Sequence, residues 1–231
     1  MYDYLLFVGI PYASIAIFVV GLVYRYAQSP HSFGAKSSEF LGEKGMLAIG
    51  VNLWHIGIGL ILGGHFVAFI LTGIYKEIKL AFPQIELFLD ISRWSAAAAC
   101  FVGLVLLLSR RLVNPRLRKT TSKRDWLILL LFLNQIIWGT GIALLFRNEP
   151  FWFDKYLTEW LQSLLILNPV LPVVEAGKWF VYVHALLPFL ILAILPFTKL
   201  VHMVSFPFTY IWRPYRQVIW NIRTIGRHPE T

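Results

Sequence analysis

Charge is scarce in this sequence. Only 14% of its 231 residues are Asp, Glu, Lys or Arg, against 58% that are hydrophobic. A soluble domain of that length needs a polar shell, and this composition cannot supply one. Cysteine is almost absent: Cys100 stands alone, inside an apolar run. That excludes an internal disulfide and any cysteine-based metal motif. No internal repeat, low-complexity tract or composition shift marks off a soluble domain, so residues 1–231 read as a single domain. The opening Met-Tyr-Asp-Tyr has no basic stretch before its apolar residues, and it reads as the start of a retained span rather than a cleaved signal peptide.

What is abundant is long apolar sequence, with a mean hydropathy of +0.65. A helix needs roughly 20 apolar residues to cross the hydrocarbon core. Five runs meet that length, at about 4–24, 45–74, 87–109, 125–146 and 178–206. The expected fold is therefore all-α, an integral membrane bundle of five transmembrane helices in a multi-pass protein of the cytoplasmic membrane.

The net charge of +9 falls between the spans, where it reads as an orientation signal and as contact with lipid headgroups rather than with nucleic acid. Fifteen Lys and Arg lie on one side, in the loops 25–44 and 110–124 and at Lys199 and the 212–231 tail. Six lie on the other or near it: Lys76, Lys79, Arg93, Arg147, Lys155 and Lys178. The positive-inside rule puts the fifteen in the cytoplasm, which places the N-terminus outside and the C-terminus inside. The densest cluster, 110–124, is a topology signal, or a dock for a cytoplasmic subunit or for the acidic groups of a bound cofactor.

Of six histidines, His31 and His228 lie in polar segments and read as solvated. The other four sit within apolar spans, where an ionisable side chain is costly and points to function. The second span carries His55 in its inner half and His65 in its outer half. The fifth runs the opposite way and carries His184 outside and His202 inside. Two helices thus offer one imidazole each at two depths, pairing His65 with His184 and His55 with His202. A pair of imidazoles can fill both axial positions of a haem iron, an arrangement suited to electron transfer. The four are also compatible with a proton relay or with hydrogen bonding between helices.

Within an unbroken helix, His184 and His202 would be five full turns apart and share a face, with a rise of roughly 27 Å. His55 and His65 would be roughly 15 Å apart. Gly57, Gly59, Gly63 and Gly64 lie between these two and suit either a flat macrocycle near the backbone or close helix packing. Pro188 and Pro196 are expected to kink the fifth span, with neighbours satisfying the freed carbonyls. Trp152, Trp160, Trp179, Trp212 and Trp220 read as interfacial anchors.

The stretches NLWHIGIGLILGGHF (52–66), LLLSRRLVNPRLRKTT (106–121) and FTKLVHMVSFPFTYI (197–211) resemble the gamma subunit of respiratory nitrate reductase. The resemblance extends over almost the whole chain, and its most specific part is the two-histidine pattern on the second and fifth spans. It implies a diheme cytochrome b with two haem b groups, His65 and His184 on the outer iron and His55 and His202 on the inner one. It further implies a quinol substrate, menaquinol or ubiquinol. Its partners would be a cytoplasmic iron–sulfur beta subunit and a molybdenum-containing alpha subunit that reduces nitrate. Members of that family carry a lysine in the outer loop after the second span that is associated with quinol. Counted from His65 without a gap, that position holds Ile85 here, which leaves Lys76, Lys79 and Arg93 as the quinol-site candidates. Rival readings are the same cytochrome serving nitrite oxidation or sulfur metabolism, and a membrane protein that transports or stores haem.

Overall fold

The computed structural model describes residues 2–28, 44–149 and 151–204, and these contain helices and turns but no strand. Five helices are long and apolar enough to cross a membrane. The first, α1, spans Tyr2–Gln28. The second, α2, spans Lys44–Ile70. A short α3, Thr72–Ala81, follows a kink at Leu71, where φ is −103° and ψ is 34°. Next come α4, Ile85–Val113, the short α5, Pro115–Thr120, and α6, Lys123–Leu145. A π-helical turn leads into α7, Glu159–Leu165; α8 is Pro172–Glu175 and α9 is Trp179–Ile194. His31, His228, Trp212, Trp220 and the 212–231 tail lie outside the described residues.

Several boundaries differ from the sequence expectation. The second span stops at Ile70 rather than residue 74, and Gln162 Nε2 donates to the Phe69 carbonyl at that end, 2.8 Å away. Lys76 and Lys79, expected in a loop, stand on α3. Its mixture of Lys76, Glu77 and Lys79 with Ile74, Ile78 and Leu80 suits an amphipathic helix at a boundary, which hydropathy alone does not separate from a loop. The 147–177 segment, expected as a loop, contains α7 and α8. Trp160 is 2% exposed, and its indole donates to the Phe7 carbonyl at 2.9 Å, so it is a core residue and not an interfacial anchor. Pro11 stands four residues after Phe7 and has no N–H to offer that carbonyl.

Local signals set the helix starts on the basic side. Asn114 accepts from the backbone N–H of Arg116 and of Leu117 and precedes Pro115, a residue suited to a first helical position. Ser122 and Asp125 form a reciprocal capping box that opens α6.

Glycine lets α2 and α4 approach closely. A Cβ at Gly103 would stand 2.6 Å from Trp54 N and 2.9 Å from Gly50 O, and one at Gly57 2.7 Å from Cys100 N. These obstacles are backbone, so they cannot rotate away. Gly57 therefore serves helix packing, whereas Gly59, Gly63 and Gly64 have nothing within 4 Å. Gly103→Val forces α2 and α4 apart and is expected to cost about 3 kcal/mol, at the upper end of typical overpacking penalties. Gly59→Ala meets no such obstacle, and replacing a mid-helix glycine by alanine is expected to stabilise by about 0.5–1 kcal/mol. Thermal unfolding of the detergent-solubilised variants tests both.

Candidate functional site

The four membrane histidines meet in two pairs. His65 on α2 and His184 on α9 have ring centroids 6.5 Å apart and planes inclined by 43°. His55 on α2 and His202, just beyond α9, are also 6.5 Å apart, inclined by 50°. This is the pairing expected from depth. An imidazole nitrogen stands about 2 Å from a bound metal ion. Two such bonds plus the half-width of each ring give a centroid spacing of ~6.3 Å for two imidazoles on one ion. Among the described residues, no three His, Cys, Asp or Glu side chains converge as a metal site. A pair of imidazoles suits an ion whose other four positions a macrocycle fills, as in haem.

The ring nitrogens add to the fit. His55 Nδ1 lies 2.8 Å from Val51 O, His65 Nδ1 2.7 Å from Ile61 O, and His202 Nδ1 2.8 Å from Lys199 O. A carbonyl can only accept, so each Nδ1 carries the proton and each Nε2 keeps its lone pair for a metal. His184 does not follow this pattern: its Nδ1 is buried and has no hydrogen-bond partner among the described residues.

One correction concerns how His202 reaches its partner. The fifth span is not one helix from His184 to His202. It ends as an α-helix at Ile194, continues as a 3-10 turn over Leu195–Phe197, and breaks at Thr198, where ψ is 175°. A second 3-10 turn, Lys199–Val201, then leads to His202. The five-turn count and the 27 Å rise therefore do not apply, and the break absorbs the mismatch with the shorter His55–His65 spacing. Pro196 favours it, since proline cannot donate within a continuing helix.

The break is clamped from two sides. Arg25 Nη1, at the end of α1, donates to Pro196 O at 2.6 Å and to Thr198 O at 2.7 Å. Lys199 Nζ pairs with Asp125 of α6 at 2.8 Å. Thr198 Oγ1 accepts from Leu200 N and donates to Leu195 O, closing the turn on itself. A hydrogen bond from a charged donor contributes about 2 kcal/mol. Arg25→Ala is thus expected to loosen the segment that carries His202 and leave the His65–His184 pair unchanged. Cofactor content per chain checks this: a centre held by His55 and His202 should be depleted, and one held by His65 and His184 full.

The three basic candidates, expected on the outer side, are all paired. Lys76 binds Asp154, which also accepts from Thr72 Oγ1 at 2.9 Å. Arg93 binds Asp90 within its own helix and lines a 280 Å³ cavity with Glu86, Trp94, Leu144, Arg147 and Asn148. Lys79 pairs with Glu86 at 3.0 Å, and its ammonium stands 4.9 Å from the Phe151 ring centre. Of the three, and among the described residues, only Lys79 is joined to a histidine by continuous aromatic contacts. His65 meets Phe69 at 5.5 Å, Phe69 meets Phe153 at 6.0 Å, Phe153 meets Tyr75 at 6.0 Å, and Tyr75 meets Phe151 at 6.4 Å. Phe151 holds φ at 62°, an uncommon conformation for a side chain of its size. The sequence reading passed over these aromatics: Phe69 lies in its second span, Tyr75 in the loop after that span, and Phe151 and Phe153 in the segment 147–177 that it treated as loop.

A sequence model of the family described as nitrate reductase gamma subunit matches residues 3–221. The nitrate reductase gamma chain of Bacillus subtilis (strain 168) is 33% identical over 210 residues, covering 89% of this chain and 92% of its own length. The respiratory nitrate reductase 1 gamma chain of Escherichia coli (strain K12) is 31% identical over 211 residues, covering 90% and 93%.

Proposed function

Because the chain belongs to the nitrate reductase gamma subunit family, we propose that it is the membrane anchor and electron conduit of a respiratory nitrate reductase, a diheme cytochrome b that oxidises quinol. The observation that carries this reading is the meeting of four histidines from the second and fifth spans as two pairs, each with a centroid spacing of 6.5 Å. His65 and His184 would hold the outer haem b, and His55 and His202 the inner one. A haem held by two imidazoles supplies a reversible one-electron centre with no position left open for substrate.

The protein's own groups orient and insulate these centres. The carbonyls of Val51, Ile61 and Lys199 fix the tautomers of three ligands. Arg25 and the Lys199–Asp125 pair hold the segment that presents His202. Quinol is oxidised on the outer side, and Lys79 with its aromatic neighbours is the favoured contact, since that group alone of the three candidates continues inward to His65. Glu86, beside Lys79, can accept a proton from the quinol hydroxyl and release it outside.

The fifteen-to-six distribution of Lys and Arg supports a cytoplasmic face for the 110–124 segment. An iron–sulfur beta subunit would dock there and feed a molybdenum-containing alpha subunit, the site of nitrate reduction. The reading is tested by purifying the chain from membranes and recording its reduced-minus-oxidised spectrum. Two low-spin, six-coordinate haem b groups with separate one-electron midpoints are expected. A single titrating centre, or high-spin haem, rejects the assignment.

A further inference from the structure

His184 differs from the other three histidines in what surrounds it. Its segment offers its ring no backbone acceptor, and its Nδ1 is buried without a partner among the described residues. Four residues on, Pro188 lacks the N–H that would have bonded the His184 carbonyl. Gln135, from the middle of α6, fills that gap: its Nε2 lies 3.3 Å from His184 O. The same Nε2 is 3.5 Å from His184 Nε2, and Gln135 Oε1 is buried with no partner among the described residues. Gly139, one turn further along α6, makes room for the ring, since a Cβ there would stand 2.7 Å from His184 Cε1. Two buried polar atoms on touching side chains are thus without partners, one a ring nitrogen and the other an amide oxygen. Leaving either unsatisfied in an apolar bundle is costly.

We propose that Gln135 is the positioning residue of the outer centre. It holds the His184 backbone through the carbonyl that Pro188 frees, and its Oε1 accepts the ring N–H on whichever nitrogen is not turned to the iron. This rests on the haem reading given above. An acceptor on the far nitrogen makes an imidazole a stronger electron donor to its metal, and so favours the oxidised iron. Three ligands take that acceptor from a backbone carbonyl, which no side-chain substitution removes. The outer centre takes one from a side chain, so a single substitution at residue 135 can remove it.

The test compares wild type, Gln135→Leu and Gln135→Glu by potentiometric titration followed by absorbance and low-temperature EPR. The outer haem is identified as the signal that is missing from a His65→Ala variant. Gln135→Leu removes donor and acceptor together. The outer midpoint is expected to rise, and outer-haem affinity to fall by roughly tenfold, while the inner midpoint stays in place. Gln135→Glu keeps an acceptor oxygen but gives up the N–H that the His184 carbonyl accepts, so the outer haem stays, held less tightly than in the wild type, and its midpoint lies at or below the wild-type value. The proposal is overturned if Gln135→Leu retains the outer haem at an unchanged midpoint. It is also overturned if leucine and glutamate shift the midpoint alike, which would make side-chain packing the cause. Should leucine abolish the outer haem, glutamate decides: a retained haem supports the proposal and a lost one rejects it. A wild-type protein without two six-coordinate haems rejects the haem reading and this inference together. The wild-type spectrum thus separates that failure from failure of the Gln135 role alone.

Discussion

The His55→Ala variant is expected to retain one haem per chain instead of two, and adding His202→Ala is expected to remove no more. The two imidazoles face each other at 6.5 Å, so they are expected to share one iron, and losing either ligand abolishes the same six-coordinate centre. Single losses within a pair therefore cannot add, as for any two groups that act on one shared partner. The same holds for His65→Ala with His184→Ala, whose rings are also 6.5 Å apart. Across pairs the result reverses: His55→Ala with His65→Ala leaves no bound haem, although both residues lie on one helix. Haem per chain, from pyridine haemochromogen spectra of purified membrane-inserted protein, gives the four counts directly. Non-additivity between His55 and His184, or between His65 and His202, would falsify the pairing. So would a His55→Ala/His202→Ala protein with fewer haems than His55→Ala.

The pairing was legible in the sequence because it needs only depth. Burying an imidazole in hydrocarbon is costly, so four in two spans stand out, and the opposite directions of those spans fix which lie level. The geometry that completes the pairs was not legible. Counting 3.6 residues per turn from His184 to His202 assumes one helix; Pro196 announces a kink, but nothing in the sequence declares an extended residue at Thr198. What makes the break stable is remote: the Arg25 guanidinium from α1 takes the Pro196 and Thr198 carbonyls, and Asp125 from α6 takes Lys199. Neither contact has a sequence signature. Gln135 was missed for a similar reason, yet a signal existed. Pro188 stands four residues after His184, which frees that carbonyl, and a buried carbonyl without a donor calls for a side chain from a neighbouring span. Trp160 obeys the same rule at Phe7, ahead of Pro11. The outer segment was misread because its helices are short and its aromatics scattered, so no hydropathy window distinguishes them from loop.

Loss of the outer pair and loss of the inner pair are expected to stop turnover at opposite ends. His65 and His184 lie level with the end of the bundle that carries Lys79, Tyr75, Phe151 and Phe153, the favoured quinol contact. His55 and His202 lie toward the end that carries the basic 110–124 segment and the Lys199–Asp125 pair. The ten-residue spacing from His55 to His65 separates the two levels by roughly 15 Å of helix. On the proposed order, electron transfer inward over that distance would work against a membrane potential that is negative inside. One charge moved across the whole potential costs about 2.3 kcal/mol per 100 mV, so turnover stores energy in proportion to the fraction crossed. The order fixes an asymmetry. The His202→Ala protein should still be reduced by quinol at close to the wild-type rate, but it should pass no electrons to nitrate through the assembled complex. The His184→Ala protein should fail earlier, with its remaining haem reduced by quinol at least 100-fold more slowly, a barrier increase of about 2.7 kcal/mol. Both proteins must first be shown to insert and to keep the other haem, because a lost cofactor can loosen a bundle. Dithionite reduces both variants fully whatever the path, and it calibrates the amplitude for stopped-flow traces with quinol. Rapid quinol reduction of the inner haem in His184→Ala would place electron entry at the inner end, and the outer role of Lys79 and its aromatic neighbours would then have to be abandoned.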